Sequence, residues 1–373
     1  MEKKLNIAVL KSALQKLGWT QKNLAVEMGV SAQSITNWMK GTDFPRPDKL
    51  IRLAMMLGLN FSDLVLTKEN APVVAFRKRA GTKTTDDHRL KAMTMGAMLQ
   101  PLVPYLPKLK SLRTKISTPS LAYRSLQNAV KEVRGKLGIG LEAPLQFQNI
   151  ISEFDANDAI IIPVMWGQKT RHENALHILL PSEQVTFIYL NLDTHIEDFK
   201  FWMAHELAHV YTPELAGSDE GEDFADAFAG TLLFPENIAI LAYVEAIKKQ
   251  TQQAEMGVLQ RYAKEHQISL YSVFCEVQKF AKESELPGLK TKPQQIHALR
   301  SITRGELVSE ILFKPLPPQP DALIASAHSV FQSHFFESMK RLLLDKGTGS
   351  GYIQQVLDVN MQDGIAIHNE LIH

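Results

Sequence analysis

The sequence contains a single cysteine, Cys275, among 373 residues. One cysteine cannot form an internal disulfide or a cysteine-based zinc cage, so any metal must be held by histidine and carboxylate side chains. The chain also lacks an uninterrupted apolar run of about 18 residues, and no apolar segment follows its first residues. We therefore expect a cytoplasmic protein that is neither secreted nor inserted in a membrane.

Strong compositional bias is absent as well. Apolar residues make up 45% of the chain, aromatic residues 8% and charged residues 22%. These proportions exclude the disordered, collagen-like and disulfide-scaffold classes. At roughly 150 residues per domain, the length predicts two or three domains.

The net charge of +1 conceals two halves of opposite sign. Residues 1–136 contain 24 lysines and arginines against 9 aspartates and glutamates, a net charge of +15, whereas residues 137–373 contain 17 against 31, or −14. A basic half suits phosphate binding, because neutralised phosphates release counterions, but it would equally suit docking on the acidic half. Charge alone leaves both interpretations open.

Apolar periodicity and glycine or proline stops divide the chain into five predicted segments. They are a five-helix N-terminal domain (1–68), a basic linker (69–85), a helical connector (86–140), a mixed segment (141–240) and a helical C-terminal region (241–373) without an interpretable motif. Strands are predicted in the mixed segment at Ala159–Val164, His177–Leu180 and Val185–Leu190, the last as an edge strand that could pair with an extended peptide. The predicted fold class is mainly α, with an α+β middle that contains a small β-sheet.

The first 66 residues contain the pattern of a DNA-binding helix pair. A helix-turn-helix needs a small residue in its first helix, a residue that tolerates positive φ in the turn and a buried branched residue in its second helix. Ala25, Gly29 and Ile35 supply these in order. The second helix then exposes short polar or basic side chains suited to base edges or phosphates: Ser31, Gln33, Ser34, Thr36, Asn37 and Lys40. An α-helical bundle with a solvated polar helix is the alternative.

These residues resemble the phage-repressor-like helix-turn-helix family, also called XRE or Cro type. The runs Trp19–Ala25, Gly29–Ser31 and Ile35–Gly41 fall where that family's pattern places them. The resemblance covers about 65 residues and implies binding to a double-stranded, pseudo-palindromic DNA operator. It also implies a homodimer, which the composition does not show.

The sequence His205-Glu206-Leu207-Ala208-His209 places two imidazoles one above the other on a helix face, where they can hold Zn²⁺. A catalytic zinc site has three protein ligands and an open fourth position, so a carboxylate from another helix is needed. We predict Glu222 as that ligand, with Glu220 and Asp226 as rivals, and Asp226 as the acceptor for the N–H of a ligand imidazole. Two partly exposed surface histidines are the alternative.

Glu206 is predicted to take a proton from activated water and to pass it to the leaving amine, the general acid/base role in peptide hydrolysis. Four further side chains are weighed as oxyanion donors, and none is assigned: Arg171, His172, Tyr189 and Tyr211.

The blocks His205–His209 and Glu222–Pro235 resemble the ImmA/IrrE family of metallopeptidases, a similarity that spans residues 145–240. The family usually has Asn and Met where this chain has Asp226 and Phe234; Asp keeps the acceptor, and Phe alters only packing. The resemblance implies a cytosolic endopeptidase, with Zn²⁺ or Mn²⁺, that cleaves helix-turn-helix repressors after a stress or induction signal.

Three arrangements remain open for such a chain. It cuts its own linker near Arg77–Thr85, it cuts a partner repressor, or its metal domain is structural or senses a ligand without cutting. Exposed linkers are the preferred sites of proteolysis, which favours the first. A control protein for defence or toxin–antitoxin genes is a further alternative.

Overall fold

The computed structural model describes residues 4–59, 64–66, 72–75, 86–108, 113–167, 174–300 and 304–373. These residues form a small N-terminal helical unit and a larger body in which helices surround one four-stranded sheet. The fold is therefore mainly helical with a small mixed sheet in the middle, as the sequence predicts.

The helices of the N-terminal unit are α1 Ile7–Lys16, α2 Gln21–Met28, α3 Ala32–Lys40 and α4 Pro47–Leu57. Those of the body are α5 Asp86–Leu99, α6 Tyr123–Lys136, α7 Phe147–Ala156, α8 Ile196–Tyr211, α9 Asp219–Leu233, α10 Glu236–Ile247, α11 Gln252–His266, α12 Leu270–Glu283, α13 Pro293–Arg300, α14 Val308–Leu312, α15 Pro320–Ser329, α16 Phe335–Lys346, α17 Ser350–Leu357 and α18 Met361–Ile372. Short 3₁₀ turns lie at Gln100–Tyr105 and Pro213–Leu215.

The caps and the turn of the N-terminal unit lie where the sequence predicts them. Thr20 caps α2 by accepting a hydrogen bond from the Asn23 amide (3.2 Å), and Ser31 caps α3 by accepting one from the Ser34 amide (3.0 Å). Gly29, between the two helices, has a φ of +60°, the left-handed conformation that this turn requires. The inward side chains form a core of their own: Leu10, Leu14, Leu24, Met28, Ile35, Trp38, Leu50 and Leu53.

The fifth helix predicted for this unit, Phe61–Leu66, lies partly outside the described residues. Within the described part, Val65–Leu66 form strand β2, which pairs in antiparallel fashion with strand β1, Lys4–Leu5. The two ends of the unit are therefore held side by side.

Four strands form the sheet of the body in the order β3-β5-β6-β4. The three predicted strands are β4 Ala159–Val164, β5 Ala175–Leu180 and β6 Val185–Asn191. β5 and β6 are antiparallel, whereas β4 runs parallel to β6. The fourth strand, β3 Val73–Ala75, lies inside the segment predicted as a linker and pairs in antiparallel fashion with β5.

The prediction that Val185–Leu190 is an edge strand is wrong. β6 lies between β5 and β4, so both of its edges are already paired and a peptide cannot add to it. All seven residues of β6 are buried, as expected for a strand with helices on both faces of its sheet. The edges of the sheet are β3 and β4.

Two hydrophobic cores cover the opposite faces of the sheet. On one face, Ile161 and Ile188 pack with α8, α9 and the helices that follow them. On the other face, Ile162 and Phe187 pack with α5 and α16–α18. The residues predicted to bind metal belong to the first face.

Among the described residues, no single helix combines the length and the apolarity needed to cross a membrane. Helices α9 and α10 reach that length and apolarity only as a pair, and they are bent by 66° at the break between them.

Arg134, a buried residue of α6, is hydrogen-bonded to the C-terminal end of α9. Arg134 donates hydrogen bonds to the carbonyl oxygens of Leu232 (2.8 Å) and Gly140 (2.7 Å), and also to that of Ala143. The side chain is fully buried, and so is its bond to Leu232, so water cannot replace it as the donor to that carbonyl oxygen.

We expect Arg134→Met to lower the free energy of unfolding by about 2 kcal/mol, because three carbonyl oxygens lose their donor. Urea unfolding followed by circular dichroism measures the change. Arg124→Met is the matched control, since Arg124 is 73% exposed and pairs with Glu236 at the surface. Equal losses in the two variants would contradict this account of Arg134.

Candidate metal centre and nucleic-acid interface

Helix α8 presents three of the predicted site residues on its buried side. Glu197 and Asp198 lie in its first turn, where acidic side chains complement the positive end of the helix dipole. His205 and His209 are about one turn apart, so their imidazoles share one face. Both histidines are 1% exposed and Glu206 is 4% exposed.

Helix α9 brings the carboxylates to this face. Ser218 caps α9 by accepting a hydrogen bond from the Gly221 amide (3.0 Å), and Asp219 and Glu220 stand in the first turn. Part of the acidic run therefore stabilises the start of the helix. Glu220 is exposed, whereas Glu222 is only 7% exposed and faces both imidazoles.

The polar atoms of His205, His209 and Glu222 converge. The two Nε2 atoms are 3.2 Å apart, and the Glu222 oxygens lie 3.4 Å from His205 Nε2 and 3.3 Å from His209 Nε2. Together the three residues form a buried group that could hold a metal ion. A cluster of buried lone pairs is costly by itself, and a divalent cation would compensate for that cost.

Asp226 lies beside the first imidazole of the cluster. Its Oδ1 is 2.9 Å from His205 Nδ1, the contact predicted for this residue. Asp226 accepts the Nδ1–H of His205, and Nε2 of the same ring faces Glu222 and His209. Asp226 therefore contacts His205 at Nδ1, away from the point where Nε2 of both imidazoles meets Glu222.

Burial and neighbouring charges shift the pKa values of the cluster in different directions. Burial raises the pKa of Glu206 to about 7. Burial alone would also raise the pKa of Glu222, but the adjacent imidazoles of His205 and His209 hold it at about 2. The two carboxylates are thus distinct: Glu222 is an anion at neutral pH, and Glu206 can exchange a proton there.

The pKa values of the two imidazoles also diverge. Burial alone would lower the pKa of His205, but its hydrogen bond to Asp226 and its contact with Glu222 raise that pKa to about 9. Burial lowers the pKa of His209, which lacks an acidic partner at Nδ1 among the described residues.

His177, on β5, belongs to the site and escaped the sequence prediction. Its Nδ1 lies 3.6 Å from Glu206 Oε2, and its ring centroid is 5.4 Å from that of His209. The side chain is buried, and neither ring nitrogen has a hydrogen-bond partner in the described part of the chain. Burial lowers its pKa to about 3, so the imidazole is neutral and keeps one N–H donor. The signal in the sequence is a lone histidine inside the apolar strand Ala175–Leu180.

Neither tyrosine weighed as an oxyanion donor joins this cluster. The Tyr189 hydroxyl donates to the Val356 carbonyl (2.8 Å), in the core on the other face of the sheet. Tyr211 is buried at the end of α8. Arg171 and His172 lie outside the described residues.

Helix α3 carries the predicted DNA-contacting side chains. Ile35 and Trp38 anchor its inner face in the N-terminal core. The remaining positions are exposed or half-buried: Ser31, Gln33, Ser34, Thr36, Asn37 and Lys40. Because α3 follows the turn at Gly29, it occupies the recognition position of a helix-turn-helix.

Internal hydrogen bonds distinguish the amide side chains of this set from its hydroxyl side chains. Gln33 Nε2 donates to Asn37 Oδ1 (2.8 Å), which leaves the Gln33 carbonyl oxygen and the Asn37 amide nitrogen facing solvent for a base edge. Ser31 caps the helix, and Thr36 donates to the Ala32 carbonyl (2.9 Å). Gln33 and Asn37 are therefore better placed than the hydroxyl groups to read bases.

Comparison with known proteins bears on the N-terminal unit. A family model described as helix-turn-helix matches residues 10–64, which include most of α1 and all of α2–α4. This match confirms the helix-turn-helix prediction and supports a DNA-binding regulator. Neither the curated proteins nor the solved structures gave a match.

We expect the purified chain to bind one Zn²⁺ or Mn²⁺, and His209→Gln or Glu222→Gln to weaken that binding at least about tenfold. Metal analysis after dialysis against a dilute metal buffer gives the stoichiometry and the affinity. His266→Gln is the control, because His266 is a buried histidine outside the cluster. Equal loss of metal in the control would show that burial of a histidine, and not ligation, explains the effect.

We expect Asn37→Ala to cost about 1–3 kcal/mol of discrimination at one operator base pair, because it removes a side chain that can bond a base edge. Lys40→Met should instead weaken binding to all sequences and reduce the salt slope by about 1. Fluorescence anisotropy at several salt concentrations, with an operator selected from random duplexes, measures both. Lys248→Met makes the same charge change in the body and should alter neither quantity.

Proposed function

We propose that this chain is a DNA-binding transcription regulator whose buried metal site hydrolyses peptide bonds. Cleavage of a helix-turn-helix repressor, the chain itself or a partner, would relieve repression. The observation that supports this is the placement of Glu206, a proton-exchanging carboxylate, beside the convergent His205, His209 and Glu222. The resemblance to the ImmA/IrrE peptidases around the same residues points the same way.

The residues fit a divalent cation in number, type and burial. His205, His209 and Glu222 would hold it, and three protein ligands leave a position open. A bound Zn²⁺ or Mn²⁺ supplies Lewis-acid polarisation of a peptide carbonyl and increases the acidity of water. Asp226 keeps His205 in the required tautomer.

The protein's own proton-transfer group is Glu206, and His177 is its candidate donor to a developing negative charge. With a pKa of about 7, the Glu206 carboxylate can accept a proton and return it to a leaving amine at neutral pH. The neutral imidazole of His177 faces the same carboxylate and has a ring N–H to offer to a developing negative charge. The surrounding burial lowers the local dielectric, which strengthens these interactions.

The proposed regulation of transcription includes a DNA operator, a cytoplasmic location and a homodimer. A double-stranded operator would contact α3, and the protein would act in the cytoplasm, where that DNA lies. A homodimer would match a pseudo-palindromic operator. Exposed apolar side chains on the N-terminal unit, Val26 on α2 with Ile51 and Met55 on α4, offer surface for such a contact.

A second candidate is a regulator that binds DNA and metal without cutting peptides. The observation that favours it is the burial of His177, whose unpartnered nitrogens lie next to the cluster and could close its remaining side. A closed site of this kind would be structural or would sense a ligand.

Glu206→Gln distinguishes the two candidate functions. The glutamine amide has nearly the shape of the glutamate carboxylate, but it cannot accept a proton and return it. We expect the variant to bind metal and operator DNA as the wild type does, and to lose cleavage of the repressor substrate by at least about 10²-fold. Incubation of the full chain with Zn²⁺ or Mn²⁺, alone and with candidate repressors, followed by fragment mapping in a mass spectrometer, measures the loss.

Glu220→Gln is the matched control, since Glu220 is an exposed acid close to the same site. It should leave cleavage unchanged. An inducing response that survives intact in Glu206→Gln, with no fragments in either protein, would instead support the purely binding regulator.

A further inference from the structure

The sheet edge nearest to the metal cluster is occupied by the chain's own segment. β5 carries His177, and its two neighbours are β6 on one side and β3 on the other. The register pairs Ala75 with His177, Val74 with Ile178 and Val73 with Leu179. The backbone of β3 therefore runs about 5 Å from the backbone of the strand that lines the site.

The register also fixes which way β3 faces. Residues directly opposite each other in an antiparallel pair have side chains on the same face. Ala75 thus shares the face of His177, toward the metal cluster, and Val74 shares the face of Ile178, toward α5. This assignment agrees with the packing, because Val74 and Ile178 belong to the core on the α5 side.

Extended peptides are commonly bound by addition to an exposed strand edge, whose unpaired N–H and C=O groups supply the affinity. A peptide that reaches Glu206 along the sheet would add to the edge of β5, since β6 is interior and β4 lies at the far end. Within the described structure, that edge of β5 is filled by Val73–Ala75. Along the sequence, strand β3 lies between the DNA-binding unit and the rest of the body.

We propose that the outer edge of β5 is the peptide-binding edge of the metal site and that Val73–Ala75 occupies it as an intramolecular substrate strand. The proposal rests on the peptidase function proposed above and names its substrate class: an extended segment that follows a helix-turn-helix domain. A peptide from another molecule binds only when β3 leaves the edge.

Two glycines hold β3 from opposite sides. A Cβ on Gly96 of α5 would lie 2.6 Å from the Cβ of Pro72, the residue before the strand. A Cβ on Gly217, in the loop between α8 and α9, would lie 3.1 Å from the Val74 carbonyl oxygen. Larger residues at these two positions would push against the strand, and Gly96 does so on the face away from the metal cluster.

The test compares Gly96→Ala with Gly257→Ala. Both are helical glycines, but a Cβ on the exposed Gly257 meets nothing within 4 Å. Each change is made in full-length chain carrying Glu206→Gln and loaded with Zn²⁺, so that a bound peptide stays intact. The probe is a synthetic peptide with the sequence of residues 72–79, Pro-Val-Val-Ala-Phe-Arg-Lys-Arg.

We expect Gly96→Ala to raise amide hydrogen exchange in residues 175–180 and to bind the peptide at least about tenfold more tightly than the parent chain. Bound peptide should restore the protection of residues 175–180. Gly257→Ala should behave as the parent chain does. If Gly96→Ala fails to fold by circular dichroism, Val74→Asp replaces it, because Val74 packs in the apolar core on the α5 side and a carboxylate there would release β3.

Two results would overturn the proposal. One is tight binding of the peptide to the parent chain while β3 remains in place. The other is no binding of the peptide to a variant in which the backbone amides of β5 have become exchangeable. Failure of the peptidase function is separate. A peptide that binds the released edge, yet is never cut when Glu206 is present, supports the edge assignment and contradicts the peptidase. Cleavage of the peptide without protection of residues 175–180 would support the peptidase and contradict the edge assignment.

Discussion

The structure depends on the burial of polar groups between α8 and α9. Two imidazoles and two carboxylates lie in an interior where each would be costly alone, and Glu222 of α9 faces both imidazoles of α8. These contacts join the two helices at the candidate site. The remainder of the body provides the rigid frame: the sheet on one side, and the Arg134 contacts at the far end of α9.

Burial and neighbouring charges separate the properties of the carboxylates around the two imidazoles. Glu222 sits between imidazoles and stays ionised, whereas Glu206 lies one step round the helix and is left with a pKa near neutrality. Asp226 is partly exposed and orients His205 from outside. One helix pair thus contains three groups that could hold a metal ion, a carboxylate with a pKa near neutrality and a second carboxylate bonded to the first imidazole, because differences in burial and neighbours separate their pKa values.

Helix α5 contacts both the N-terminal unit and the sheet of the body. It packs against Pro72 and Ile178 through Gly96, and its Met98 lines a cavity of about 430 Å³ together with Ser12 of α1 and Tyr352 of α17. The segment between the two parts is itself built into the sheet as β3. The contacts of α5 and the pairing of β3 with β5 therefore give the two halves a physical connection beyond the peptide chain.

Local spacing in the sequence determined the elements and several of their functional residues. The helix-turn-helix, its caps and its turn follow from signals within a few residues, and so does the stacking of His205 on His209. The strands of the middle segment follow from short apolar runs. Tertiary structure alone decided that Glu222 rather than Glu220 faces the imidazoles, that His177 stands beside Glu206, and that β6 is central while Val73–Ala75 fills the edge. These outcomes depend on pairing between segments far apart in the chain, and the period of a helix or strand carries no information about its partner.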